Sequence, residues 1–357
     1  MQTTHRILAG DARDLSAVGD GQVHLVVTSP PYPLVAMWDD GFAAMSSTAA
    51  AALAAEDGAL AFEAMHIELD RVWAQCHRVL VDGGLACINI GDAARSLGGR
   101  FGLWPNHARI LTGCMGMGLS PLPDILWRKP TNAPNKFMGS GMLPAGAYVT
   151  YEHEYVLVLR KGGGRAFPRP QDRQLRRESA YFWEERNQWF SDLWSDLRGT
   201  RQDLDRATRD RSGAFPVELP YRLALMFSLQ GEVVLDPFGG TGTTALAAAM
   251  AGRSSISVER DPDLVTQARQ RLANAVPLGQ ARAQQRLDEH RAFLSARKAA
   301  GKPDPKHHNA PHDLPVITGQ EQELQLRVPR QLAPTAEGAT CTLGPPLPPA
   351  QLGLDLG

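Results

Sequence analysis

Residues 233–244 read VVLDPFGGTGTT: an apolar run, an acid, a glycine-rich turn, and residues suited to open a helix. Glycines at 239, 240 and 242 let backbone approach a ligand closely. The helix entered through Thr243, Thr244 and Ala245 presents N–H groups and partial positive charge at its start. The next apolar run, SISV, ends in Glu259, seventeen residues after Gly242, where an acid suits two ribose hydroxyls. The spacing is not G-x-G-x-x-G, and it is not a P-loop because no lysine follows the glycines. Asp236 before the turn and Glu259 after it instead favour a ligand with a cationic end and a ribose, such as S-adenosylmethionine. Glycines that merely pack a helix on a strand would not need the distal acid.

Elsewhere, short apolar runs alternate with helical patterns, which implies a largely parallel sheet with crossover helices. The strands expected are His5 to Leu8, Val23 to Val27, LACINI at 85–90, DILWRKP at 124–130, YEHEYVLVLRKGG at 151–163, and the two around the glycine turn. The segments 124–130 and 151–163 are close enough in sequence to pair antiparallel at one edge. Phe62, Met65, Leu69, Val72, Trp73, Cys76 and Leu80 recur at helical spacing, and His66 and His77 on that helix read as structural or solvated. A chain of 357 residues, 43% hydrophobic and 21% charged, suits one large soluble α/β domain with appendages, or two domains. No run approaches the roughly 18 apolar residues of a membrane span, and the N-terminus lacks a signal-peptide stretch, so a cytoplasmic protein is expected. Cys76, Cys87, Cys114 and Cys341 are scattered singly, which suggests neither a metal site nor a disulfide framework.

The strand Val23–Val27 stops in TSPPYP, residues 28–33. Two prolines without N–H groups cannot extend a central ladder. By itself the stretch is equally a stiff turn with Tyr32 folded back on the core.

The net charge of −1 gives no global attraction to a polyanion. Residues 160–177 are the exception, with seven Arg or Lys against the single acid Asp172. Taken alone, such a run is a solvated loop.

TSPPY early in the chain and DPFGGTGTT late in it resemble the DNA amino-methyltransferases of restriction–modification systems, in the permuted order, over residues 5–275. GDARDL resembles the segment whose acid, here Asp11, contacts the cofactor adenine, and SDLWSDL followed by GAFPVELPYRLA resembles the lead-in to the cofactor motif in cytosine-N4 members. Some relatives carry Lys-Pro where this chain has Leu219-Pro220, so no lysine contact carries over. The resemblance implies a Rossmann-like α/β methyltransferase fold with an antiparallel edge strand and a small target-recognition insert. Its parts would be a catalytic half over 1–160, a target-recognition region over 161–212, and a cofactor half over 213–276. A charged helix and a proline-rich tail, expected to be disordered, would fill 277–357.

The same resemblance implies catalysis by Ser29, Pro30, Pro31 and Tyr32. S-adenosylmethionine would be held by Asp11, Thr28, Asp236, Phe238, Gly240, Thr241, Gly242, Thr243 and Glu259. Tyr32 and Trp127 would stack on a flipped base, and Arg165, Arg169, Arg173, Arg176 and Arg177 would grip double-stranded DNA. No metal or membrane is implied; a cognate endonuclease, and a bacterial or phage-encoded enzyme at the nucleoid, are. Ser29 points to cytosine N4 rather than adenine N6. Because no cysteine follows a proline, a cytosine-C5 nucleophile is not indicated. Methylation of a protein glutamine, and a DNA-binding protein without catalysis, are the rival readings.

Overall fold

The computed structural model describes residues 1–129, 138–197 and 215–348. Its main strands are β1 (Gln2–Ala9), β2 (Val23–Thr28), β3 (Leu80–Ile90), β4 (Ile125–Arg128), β5 (His153–Lys161), β6 (Leu193–Trp194), β7 (Val233–Asp236), β8 (Ser254–Glu259), β9 (Arg327–Thr335) and β10 (Gly338–Pro346). They form one sheet in the order β6-β4-β5-β3-β2-β7-β8-β1-β10-β9, with Leu119–Pro121 pairing β5 off this path. The five central strands, β3 to β1, are mutually parallel. In β2, Leu25, Val26 and Val27 are all buried, as a strand covered on both faces must be.

Alternation along β2 sends Val26 into one apolar cluster and Leu25 and Val27 into another. The first is closed by the small helices α1 (Asp39–Met45) and α2 (Ser47–Ala54), and by α3 (Gly58–Val79) and α4 (Asn106–Gly116). The Asp57 carboxylate caps α3 by accepting from Leu60 N at 3.1 Å, and Met65, Leu69, Val72, Trp73 and Cys76 supply its buried stripe. Two charged helices, α5 (Pro170–Glu178) and α6 (Trp183–Trp189), precede β6. The second face is covered by α7 (Glu218–Phe227) and α8 (Thr243–Met250), the latter buried along its whole length. Helices α9 (Pro262–Leu272) and α10 (Ala275–Ala299) follow. Among the described residues, no helix is long and apolar enough to cross a membrane.

The segment expected to be a disordered tail is folded as far as it is described, to residue 348. β9 and β10 form an antiparallel hairpin, and β10 pairs with β1 from Gln2↔Thr342 to Arg6↔Gly338. Ala339, Cys341 and Leu343 are buried at alternate positions, a period-two signal that the high proline content overshadows. Pro329 and Pro334 are accommodated because β9 is an edge strand, with Pro329 at a register shift. A third cluster, including Phe182, Leu287, Val316, Leu326 and Val328, fixes this segment to α6 and α10. Beneath it, Arg286 of α10 makes a two-pronged ion pair with Glu185 of α6 at 2.5 and 2.7 Å, both side chains buried.

Candidate active site

β2 and β7 are neighbours at the centre of the sheet, paired at Val26↔Leu235. From β2 the chain crosses to β3 on one side, and from β7 to β8 on the other. Ligand crevices in open α/β sheets form beyond the strand ends at such a reversal. Here the two motifs meet: Thr28 Oγ donates to Asp236 Oδ1 at 2.7 Å across 208 residues of chain. A pocket beyond the strand ends is lined by Asp11, Ser29, Pro31, Asp236, Phe238, Gly240, Thr241, Thr243 and Glu259. Trp38, Phe42, Leu69, Val72 and Phe215 add apolar wall.

The glycine turn is held tightly. A Cβ on Gly239 would lie 3.0 Å from Ser257 Cβ, and one on Gly242, whose φ is 77°, would lie 2.8 Å from Ala268 Cβ. At Gly240, with φ of 49°, a Cβ would meet only Phe238 O, at 3.9 Å. Glu259 accepts from Gly240 N and Asp261 N, both at 2.8 Å, so backbone fixes its carboxylate orientation. Arg271 of α9 donates to the Thr241 and Thr243 hydroxyls at 2.8 and 2.9 Å. Asp236 also accepts from Phe238 N at 3.0 Å, yet burial pushes its carboxyl up to about 6. Asp11 is clasped by Arg13, whose bonds hold it below the usual carboxylate range, and Arg13 also pairs with the buried Glu68 at 2.7 Å. Two carboxylates flanking a glycine cradle, with apolar walls between them, fit a nucleoside carrying a cationic end.

The loop after β2 is held from below. Buried Asn106 donates to Pro33 O and Gly91 O at 3.1 and 3.0 Å, and His66 bonds Asn106 Oδ1 at 3.0 Å. Burial lowers His66 to about 4, so the imidazole that holds Asn106 is neutral near pH 7. Ser29 Oγ donates to the Tyr32 hydroxyl at 3.0 Å, and that hydroxyl donates to Glu154 Oε2 at 3.0 Å.

A model described as DNA methylase matches residues 23–270. The chain belongs to this DNA methylase family. It is 46% identical over 332 residues to the type II methyltransferase M.MthZI of Methanothermobacter thermautotrophicus, covering 92% of each chain. It is also 46% identical to M.MjaI of Methanocaldococcus jannaschii, covering 73% of this chain and 89% of that one. Among solved structures, TTHA0409 of Thermus thermophilus, complexed with S-adenosyl-L-methionine, matches with a TM-score of 0.60 at 36% identity, over 77% of this chain and 95% of that one. The PvuII cytosine-N4-specific DNA methyltransferase shares the fold, with a TM-score of 0.54 at 18% identity over 75% of this chain and 87% of that one.

Two expectations for this DNA methylase are corrected. Trp127 is 1% exposed in the second apolar cluster, its indole N–H donating to Leu197 O at 2.9 Å, so it offers no open face to a base. The arginines 165–177 lie at the far end of the sheet. β5 runs antiparallel to β3, so the chain leaves Lys161 at the amino ends of the parallel strands. Arg165 pairs there with buried Glu232, four residues before Asp236 and roughly 13 Å from it at about 3.3 Å per residue. Arg169 pairs with Asp172, Arg177 pairs with Glu323, Arg173 donates to Pro168 O, and Arg176 lies over Phe167. The run is a solvated face with local partners. Of the expected target-recognition region, residues 198–212 lie outside the described residues, while Leu197 and Phe215 stand at Trp127 and at the pocket wall.

Sequence reasoning missed Arg13, Glu68, Trp38, Asn89, Glu154 and Arg271.

Proposed function

We propose that this DNA methylase transfers a methyl group from S-adenosylmethionine to the exocyclic N4 of a cytosine flipped out of double-stranded DNA, as the modification half of a type II restriction–modification pair. The observation that carries this reading is the Thr28–Asp236 bond, because it sets Ser29 and the glycine cradle in one pocket. When bound, S-adenosylmethionine supplies an electrophilic methyl on a sulfonium. The Asp236 carboxylate suits its cationic end, Glu259 its ribose, and Phe238 with the apolar wall its adenine.

A ring-conjugated amine is a poor nucleophile because its lone pair is delocalised. The Ser29 hydroxyl and the Pro30 carbonyl, as acceptors for its two N–H bonds, draw the nitrogen toward a tetrahedral shape and free that pair, and the prolines fix the carbonyl. Tyr32 covers the base. Holding reactants in attack geometry contributes on the order of 7–11 kcal/mol, against a few kcal/mol for extruding the base. Ser29, where the adenine branch carries an acid, supports cytosine.

Mass spectrometry of nucleosides from DNA incubated with enzyme and isotope-labelled cofactor is expected to reveal N4-methylcytosine; N6-methyladenine alone would overturn the assignment. Ser29→Ala is expected to retain DNA and cofactor binding while turnover falls by orders of magnitude. Unchanged turnover would remove Ser29 from the chemistry.

A further inference from the structure

An ionised carboxylate, as Glu154 is beside Lys129, can only accept hydrogen bonds, and this fixes the direction of a chain of groups leading away from Ser29. Glu154 Oε2, on β5, receives the Tyr32 O–H at 3.0 Å. The Tyr32 oxygen, its one proton so committed, accepts from Ser29 Oγ at 3.0 Å and from Asn89 Nδ2 at 2.9 Å. Ser29, in turn, has its proton pointed away from the pocket and its lone pairs left for a donor. Asn89, buried on β3, also donates to Glu154 Oε2 at 2.7 Å, and Lys129 pairs with Glu154 Oε1. Tyr32, Asn89 and Glu154 are each held by at least two partners, which marks a pre-organised relay rather than a chance contact.

We infer that Glu154, acting through Tyr32, is the terminal proton acceptor for the amine that Ser29 holds. The inference rests on the role proposed for Ser29. As the amine nitrogen bonds the methyl carbon, the carbon–sulfur bond breaks and its electron pair stays on sulfur. The nitrogen then carries one proton too many. That proton passes to Ser29 Oγ, the Ser29 proton to the Tyr32 oxygen, and the Tyr32 proton to Glu154. Ser29 and Tyr32 end neutral, and the base is neutral and methylated. A serine is no base on its own; the carboxylate two hydrogen bonds away supplies what the hydroxyl lacks. Glu154 is thus a positioning and relay residue, distinct from the groups that touch the base.

The test uses Glu154→Gln and Tyr32→Phe, the latter keeping the stacking ring and deleting only the hydroxyl, in the full-length enzyme with melting curves as a control. Single-turnover methyl transfer is expected to fall about 100-fold in each, the lower end of what a positioned proton acceptor contributes. The double variant should lose no more than either single one, because both break the same chain. Cofactor and DNA affinities should stay within about threefold, and the solvent deuterium isotope effect on the transfer step should shrink in both variants. Additive losses, or an unchanged rate in Tyr32→Phe, would overturn the relay and leave Tyr32 as a stacking ring. Ser29→Ala separates the two levels: if it is inert, the proposed role of Ser29 fails. If it is inactive while Glu154→Gln is not, only the relay fails.

Discussion

Asp236 shows how a single residue is held at a cost to stability. Burial raises its carboxyl from the ordinary 3.8 to about 6, so the folded protein binds its proton more tightly than the unfolded chain does. The stability this proton brings is complete below about pH 4 and lost as pH rises through 6. Replacing Asp236 with Asn is therefore expected to stabilise the ligand-free protein at pH 7.5 by about 3 kcal/mol, since each tenfold difference in proton affinity is worth roughly 1.36 kcal/mol, with little gain at pH 4. The same variant should lose S-adenosylmethionine binding, and in the wild type that affinity should weaken as pH drops below 6. Differential scanning calorimetry and isothermal titration at several pH values check both. A variant that binds normally would mean that the carboxylate does not receive the cationic end, and one that melts no higher would mean that burying the carboxylate costs the fold nothing. Asp236, Glu259 and the glycines were legible because each occupies a fixed place in a strand–turn–helix. Glu154 and Arg271 were not, because they reach the site from strands and helices whose register no local pattern fixes.

Among the elements, composition misled. Ten prolines between 303 and 349 read as disorder, yet Val328, Ala339, Cys341 and Leu343 are buried and the hairpin extends the sheet. Edge strands tolerate proline, so proline content alone does not separate an edge hairpin from a tail. Likewise, arginine density in 160–177 said nothing of which end of the sheet it would occupy; the direction of β5 decides that. Helix α10, by contrast, is bound to α6 through the buried pair Arg286–Glu185. Arg286→Met alone is expected to cost about 3–5 kcal/mol by stranding Glu185, whereas Arg286→Met with Glu185→Leu should recover most of it. Urea denaturation of the two variants measures the difference, and equal losses would show that packing, not the unpaired charge, dominates.

At the scale of the whole molecule, the crossovers that were readable as a parallel α/β sheet also determine where the pocket lies, whereas the second antiparallel flank, β10 beside β1, was not foreseen. Pairing of Gln2 with Thr342 brings the first and last strands of the sheet side by side. That adjacency makes chain order a free variable. If a short linker joined the strand that starts the sheet to the hairpin that closes it, and new ends were opened in the connection between β6 and α7, the glycine turn would come to precede TSPPY in the reading frame while every contact across the pocket, Thr28 to Asp236 included, stayed in place. Such a rearranged gene is expected to encode a folded enzyme with wild-type specificity, measured by the same nucleoside analysis. The pocket, in other words, is indifferent to which of its two motifs the ribosome makes first.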